Sequence, residues 1–405
     1  KKKKFLFICF IIKMIKRNNV SIIGGAGHVG APLGLALSSK GYNVVLVDKN
    51  SKNIKKINQG QMPFLEEGCE KLLKKAVSKK KIFATKKLSY VSQCKYIIIC
   101  LGTPINNKFK PDLKKFINFF YVLRKYLNKN HVIIIRSSIY PGVCDKIYKI
   151  IKNHCRNLSY CPERIAQGKS LIELPKLSQI ISGINDKAKK ESKKIFKKIC
   201  KKIIFAEIIE AELIKLFSNA YRYINFSISN QFYLICQKEG LDFFKIRKIM
   251  RDSYNRNANI PLAGFTAGPC LLKDTMQLSS FYNHKFPLFK VAMKINESLP
   301  KLIIDKLSNE NNLRKKTVGV LGLSFKADND DIRDSLSMKL LENLKSKKIK
   351  TLQSDEYYKD KNNISKNELI KKSDIIIIAT PHKAYKKIKI NKTKTLIDIW
   401  GFTKK

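Results

Sequence analysis

Short, unbroken runs of apolar residues recur along the chain, each closed by a polar or glycine-rich turn. Residues 20–23, 44–47, 96–100 and 132–135 are runs of this kind, and helical spacing lies between them, as in 32–39. Runs without polar alternation suit strands covered on both faces, so the pattern predicts a parallel sheet layered by helices. Near residues 203–205 the rhythm changes. From 207 to 239 apolar residues recur at spacings of three and four, which predicts one long helix stopped by Gly240. From Thr317 the first rhythm returns, with 318–323, 374–379 and 396–399 as strands or strand-turn units and the lysine-rich stretch before Thr317 as a linker.

The chain has 405 residues, enough for two or three domains. Its formal charge of +51 suggests a nucleic acid or an anionic membrane as partner. The distribution argues against both. Lysines occur almost everywhere, on what read as solvated helix faces (52–56, 187–202), and Ile and Asn are abundant too, as an AT-rich genome would produce. The expectation is therefore no nucleic acid and no membrane partner. Ten cysteines show neither a CxxC pair nor metal-ligand spacing, which predicts no metal site and no disulfide framework, and fits a reducing cytoplasm. Cys94 and Cys100 read as small apolar core residues. Residues 1–4 and 5–12 resemble the basic and apolar regions of a signal peptide, but the run is too short to span a bilayer and no small-residue cleavage site follows. Residues 1–13 are expected to be a disordered or non-native lead.

Gly25-x-Gly27-x-x-Gly30 follows the first predicted strand and opens a helix, the context a dinucleotide fingerprint requires. In that reading Gly25 permits the turn, Gly27 admits the pyrophosphate and Gly30 lets the helix pack on the sheet, with His28 and Val29 completing the loop. Asp48, ending the second strand, is placed to meet the ribose hydroxyls of NAD and to disfavour the 2′-phosphate of NADP. His28 reads as a packing or hydrogen-bonding residue. The fold class expected is α/β: two Rossmann-like parallel-sheet domains joined by a helical middle domain with a long central helix. Their bounds are 14–205 (NAD-binding), 206–312 (helical, with the long helix a candidate oligomer face, carrying the cysteine named below) and 313–405 (nucleotide-binding-like).

Gly102-Thr103-Pro104 and Arg136-Ser137-Ser138 follow strands at the edge where ligands collect in open α/β sheets, though each is equally a polar turn. Glu163 in Pro162-Glu163-Arg164-Ile165 reads as either a base or a surface charge. Lys215 and Asn219 share a helix face, and Glu212 has the spacing of a surface pair with Lys215. The most informative stretch is 264–275. It sets Cys270 between a small-residue turn, read as room for substrate to approach the backbone, and Lys273-Asp274, groups able to stabilise a thiolate or oxyanion and to handle protons.

Together these residues resemble the nucleotide-sugar 6-dehydrogenases, the UDP-glucose/UDP-N-acetylhexosamine/GDP-mannose dehydrogenase family. The resemblance runs from Val20 to Phe402 through GGAGHVGAPLG (24–34), GTP (102–104), CPERI (161–165), AELIKLFSNA (211–220), AGPCLLKDT (267–275) and GLSFKADNDDIRDS (322–335). It implies a four-electron oxidation of a sugar C6 alcohol to a carboxylate with NAD as cofactor, through a thiohemiacetal and thioester on Cys270. It implies Lys215 as oxyanion support with Asn219 orienting the same oxygen, Asp274 and Ser138 positioning water, and Glu163 as general base. Gly25, Gly27, His28, Val29, Gly30, Asp48 and Thr103 would hold NAD. Arg164, Arg256, Lys273, Lys326 and Arg333 would bind the UDP-sugar, in a homodimer made through the middle helix, with Arg256 completing the cleft from this subunit or its partner.

Three departures carry weight. Ser138 stands where many relatives have Thr, Gln167 where glucose-oxidising members have an acid, and Ala267-Gly268-Pro269 resembles the UDP-N-acetylmannosamine branch. The expected reaction is oxidation of a UDP-N-acetylhexosamine, UDP-N-acetyl-D-mannosamine first, for surface-polysaccharide synthesis. The alternatives are UDP-glucose or UDP-N-acetylglucosamine oxidation, a two-electron hydroxyacid dehydrogenase, and a basic nucleic-acid-binding protein.

Overall fold

A computed structural model describes residues 19–103, 105, 106, 112–266, 268–283, 285–310 and 312–403. The 1–13 lead, Pro104 and Ala267 lie outside the described residues. The chain divides into two compact units, the first running as far as Phe217 and the second beginning at Ser218.

In the first unit β1 (Asn19–Ile23) turns into α1 (Gly30–Ser39) and returns as β2 (Asn43–Val47). Helices α2 (Ser51–Asn58) and α3 (Cys69–Ser78) lead to β3 (Ile82–Thr85). Then come β4 (Tyr96–Ile99), α4 (Lys114–Leu123), β5 (Val132–Ile135), α5 (Val143–Ile151) and β6 (Leu158–Tyr160). A short α6 (Ser170–Glu173), β7 (Gln179–Gly183), α7 (Asp186–Phe196) and β8 (Ile203–Phe205) complete the sheet. The strand order is β3-β2-β1-β4-β5-β6-β7-β8. Only β6 with β7 departs from parallel pairing. The order reverses between β1 and β4, where open α/β sheets bind ligands at their carboxyl ends.

The apolar runs are unbroken because both sheet faces are covered. Ile98 and Ile134 enter the layer under α1, while Ile97, Ile99, Ile133 and Ile135 enter the opposite layer with Ile147 of α5. All six strand side chains are fully buried, and each such burial contributes roughly 1.5–3 kcal/mol.

Helix α8 (Ile208–Lys238) contains the boundary between the units. In the second unit follow α9 (Phe243–Arg251), α10 (Leu271–Phe281) and α11 (Pro287–Glu310). A second doubly wound segment then comprises β9 (Thr317–Leu321), α12 (Leu336–Ser346), β10 (Lys350–Ser354), α13 (Lys366–Lys372), β11 (Ile375–Ile378) and β12 (Thr395–Asp398). Its four strands are parallel in the order β10-β9-β11-β12.

The stretch before Thr317 is not a linker. Leu299, Ile304 and Leu307 of α11 and Leu313 after it share one core with Val318, Leu340 and Ile377. Lysines on the outer face of α11 and beyond disguise this buried side in the sequence.

Candidate active site

The β1–α1 turn is shaped by close approach. Gly24 has φ +75°, and a Cβ there would lie 2.6 Å from the carbonyl oxygen of Cys100. A Cβ on Gly25 would lie 2.6 Å from the Ile22 carbonyl oxygen, and one on Gly30 2.5 Å from that of Gly24. A Cβ on Gly27 would meet only Gly24 O, at 3.4 Å, so this glycine keeps the outer face of the turn clear. Two details differ from the sequence expectation. The left-handed turn is made by Gly24, and the helix glycine that meets the sheet is Gly34, whose Cβ would come within 2.9 Å of Leu46. Gly30 instead packs on the turn itself.

Helix α1 begins without a side-chain cap or an acidic residue in its first turn, which leaves its positive end suited to a phosphate. Asp48 accepts hydrogen bonds from the backbone of Ala26 and Asn50, each at 3.0 Å, so its carboxylate is fixed beside the turn. An open glycine face, an uncapped helix start and a held carboxylate fit a dinucleotide. His28 stacks on Phe64 with ring centroids 3.9 Å apart, and its Nδ1 lies 2.9 Å from Nε2 of Gln167. Val29 is exposed at the cap position.

Beyond β4 and β5 the unit builds a polar edge. Thr103 is buried and its hydroxyl donates to the Ser138 carbonyl. Arg136, directly after β5, is only 2% exposed. Its guanidinium donates to Cys161 O, to Gln179 Oε1 and to the Glu163 carboxylate, and it lies over the Phe196 ring. Glu163 also accepts from the backbone of Arg164 (2.8 Å) and Ile165 (3.0 Å). Glu163 is therefore an anchored carboxylate, not a loose surface charge. Arg164 donates to the Ser178 carbonyl. The cation Arg136, seated at the end of a wholly apolar strand, was a signal for this pair that sequence reasoning passed over as a turn.

The surface pair expected for Glu212 does not describe its setting. Glu212 is fully buried and accepts from the amides of Gly142 (2.8 Å) and Cys144 (3.0 Å), capping α5. Burial raises its pKa despite these bonds. Lys215, one turn further along α8, is buried as well.

In the second unit Cys270 stands at the N-cap of α10 and is exposed. The other eight described cysteines are buried or nearly so. Burial pushes the thiols of Cys69, Cys94, Cys100 and Cys161 up to about 12 and that of Cys200 to about 11. It also raises Cys144, Cys155 and Cys236. Those thiols are kept neutral and out of reach.

The turn before Cys270 is pinned from both sides. Gly264 N donates to Asn230 at 2.8 Å, and Gly268 N donates to the Asp334 carbonyl at 3.3 Å. A Cβ on Gly264 or Gly268 would lie 2.4 Å from the rings of Trp400 or Phe325. These glycines make way for aromatic rings of the same unit, where the sequence suggested room for substrate.

Asp274 is fully buried. It accepts from Asn219 at 2.6 Å and pairs with Lys273, while its amide donates to Cys270 O at 2.9 Å. Arg333 makes a forked contact with Asp331, whose hydrogen bonds raise its pKa; Cys270 contributes in the same direction. Lys326 lies in the turn after β9, and Arg256 is exposed beside the Tyr254 ring. Among the described residues no group of three or more His, Cys, Asp or Glu is disposed to hold a metal ion, and no helix is long and apolar enough to cross a membrane.

The chain matches three models of the UDP-glucose/GDP-mannose dehydrogenase family. They are its NAD binding domain over residues 18–203, its central domain over 209–298 and its UDP binding domain over 319–405. The UDP-N-acetyl-D-mannosamine dehydrogenase of Methanococcus vannielii is 31% identical over 377 residues, 90% of this chain and 86% of that protein. The enzyme so named from Pyrococcus horikoshii is 28% identical over 90% of both chains. A solved structure of the UDP-D-ManNAc dehydrogenase from P. horikoshii superposes with a TM-score of 0.85 at 27% identity, covering 92% of this chain and 91% of the other. With the glycine cradle, the held Asp48 and the exposed Cys270, these matches mean that the chain belongs to the UDP-glucose/GDP-mannose dehydrogenase family, the NAD-dependent nucleotide-sugar 6-dehydrogenases.

Proposed function

We propose that this enzyme oxidises the C6 hydroxyl of a UDP-N-acetylhexosamine, UDP-N-acetyl-D-mannosamine first among them, to the uronate for surface-polysaccharide synthesis. The observation that carries the reading is Cys270, exposed at a helix N-cap with the buried Asp274 one turn on, while the other described cysteines are buried or nearly so. The relatives named UDP-N-acetyl-D-mannosamine dehydrogenase support the choice of sugar.

NAD held at the β1–α1 turn would supply the hydride acceptor for C6 in each of two rounds, so one sugar would give two NADH. Between the rounds the Cys270 sulfur bonds to the C6 aldehyde carbon, and the carbonyl oxygen takes a proton to give a thiohemiacetal. Its oxidation leaves a thioester. Lys215 stabilises the negative oxygen that develops on C6, and Asn219 orients it. Glu163, oriented by Arg136, takes the hydroxyl proton. Water held by Asp274 and Ser138 attacks the thioester carbon, the C–S bond breaks, and carboxylate and free Cys270 are released. Gly25, Gly27, His28, Val29, Gly30, Asp48 and Thr103 hold the cofactor. Arg164, Arg256, Lys273, Lys326 and Arg333 hold the UDP-sugar.

The division of labour follows residues 14–205 for NAD, 206–312 for the cysteine and dimerisation, and 313–405 for UDP. Tyr221, 65% exposed, and Phe217 and Ile235, each about half exposed, supply apolar surface on α8 for a homodimer. The free thiols support a cytoplasmic setting.

The test offers purified protein UDP-N-acetylmannosamine, UDP-N-acetylglucosamine and UDP-glucose with NAD, and counts NADH per sugar. Two NADH with uronate is the expected result. One NADH with a free aldehyde defeats the thioester route, and turnover of UDP-glucose alone defeats the assignment of sugar.

A further inference from the structure

Asp355 directly follows β10, as Asp48 follows β2, yet the two carboxylates are used differently. The Asp355 side chain is fully buried together with that of His382, and Nε2 of His382 lies 3.1 Å from its Oδ2. The same carboxylate accepts from the amides of Leu323 (2.6 Å), Ser324 (3.2 Å), Tyr357 and Tyr358 (2.8 Å each). No face of it is left for a ribose. Helix α12 differs from α1 as well, because the Ser335 side chain caps its first amides. The second sheet is therefore not built to hold a dinucleotide in the manner of the first.

The network instead braces one turn. The backbone N–H of Asp328 donates to Nδ1 of His382 at 2.9 Å. An amide can only donate, so Nδ1 carries no proton; the ring is neutral with its proton on Nε2, facing Asp355. Asp328 has φ +53°, a left-handed conformation that costs a non-glycine residue free energy and must be held by its surroundings. Its carboxylate accepts from the Lys383 amide (3.0 Å) and the Tyr357 hydroxyl (3.2 Å). Ser324 Oγ donates to the Lys326 carbonyl at 2.9 Å and lies 3.4 Å from Nε2 of His382. Both ends of the 323–328 turn thus meet one imidazole, with Lys326 between them.

We propose that His382 is a positioning residue for UDP-sugar binding: a neutral imidazole, protonated on Nε2, that clamps the 323–328 turn and thereby presents Lys326 to the nucleotide. This rests on Lys326 being a ligand-binding residue, as read above. It assigns His382 no contact with the sugar or with NAD.

Titration calorimetry with UDP and with NAD tests it, alongside steady-state kinetics on the full chain. His382→Ala should weaken UDP and raise KM for the UDP-sugar about tenfold, the loss of one buried hydrogen bond, with kcat and NAD affinity within about threefold. His382→Asn, whose Oδ1 can replace Nδ1 as acceptor for Asp328, should recover most of the affinity; His382→Gln, which reaches only towards Nε2, should not. Equal effects of Asn and Gln, or UDP affinity untouched in His382→Ala, overturn the proposal. Lys326→Ala separates the layers: if it leaves UDP affinity unchanged, the underlying assignment fails; if it weakens UDP while His382→Ala does not, only the clamp fails. Should His382→Ala not fold, imidazole ¹⁵N spectra of the wild-type chain decide, since a proton on Nδ1 of His382 excludes the clamp.

Discussion

Asn219 Nδ2 donates to Oδ2 of Asp274 at 2.6 Å, with both side chains buried. A carboxylate without solvent needs such donors, and Lys273 supplies another. Because the Asp274 amide also bonds Cys270 O, the carboxylate is set at a fixed place relative to the thiol's turn. Asn219→Leu should destabilise the protein by about 2–3 kcal/mol, read by urea unfolding. Asp274→Asn keeps the shape and should slow uronate release about 100-fold or more while calorimetric Tm moves by only a few degrees. Unimpaired release would remove Asp274 from the hydrolytic step.

Cys270→Ser should bind NAD and UDP-sugar as the parent does and lose uronate production by several orders of magnitude. Full activity in that variant rules out the covalent route.

Asp48 holds the glycine turn through Ala26, and in the proposed function its carboxylate is set against the ribose of NAD. Asp48→Ala should raise KM for NAD about tenfold with KM for the UDP-sugar unchanged. Asp48→Asn keeps an acceptor for the Ala26 amide and should lose less. Identical NAD affinity in all three proteins contradicts the ribose assignment.

Gly268 and Gly240 both have positive φ, +104° and +69°, but only Gly268 faces a neighbour where a Cβ would sit. Gly240→Ala should cost about 1 kcal/mol from backbone strain alone. Gly268→Ala adds the collision with Phe325, so a larger fall in Tm and a loss of activity are expected from it. Equal Tm changes would show that the turn before Cys270 yields easily.

Glu191 gives the pH prediction. Burial by itself would raise its pKa, but hydrogen bonds from Lys194, Lys95 and Tyr96 override this and pull it down from 4.5 to about 2. The folded value lies below the unfolded one, so the stability it contributes is present above about pH 4.5 and is lost as pH falls towards 2. Unfolding free energies measured from pH 6 to pH 2 should fall less steeply in Glu191→Gln. Parallel curves would place the acid sensitivity elsewhere.

The buried runs at 96–100 and 132–135 were legible because nothing else explains consecutive isoleucines, and they appear as β4 and β5 within one residue. Strand β10, Lys350-Thr-Leu-Gln-Ser354, carries no such run and was not expected. It is an edge strand, recruited by pairing with β9 and not by its own hydrophobicity. The antiparallel β7, Gln179-Ile-Ile-Ser-Gly183, escaped for a related reason, since its two isoleucines between polar and glycine ends make no extended apolar run.

By itself the chain's sequence determined two α/β lobes, a long helix, the dinucleotide turn and the candidate cysteine, all consequences of periodicity or of motifs within a dozen residues. Only the tertiary structure decided that Arg136 anchors Glu163, that Glu212 caps α5, that Gly264 and Gly268 yield to Trp400 and Phe325, and that His382 grips a turn more than fifty residues away. Local patterns register whether a residue is covered. They are silent about which distant group covers it, because that partner is chosen by the path of the whole chain.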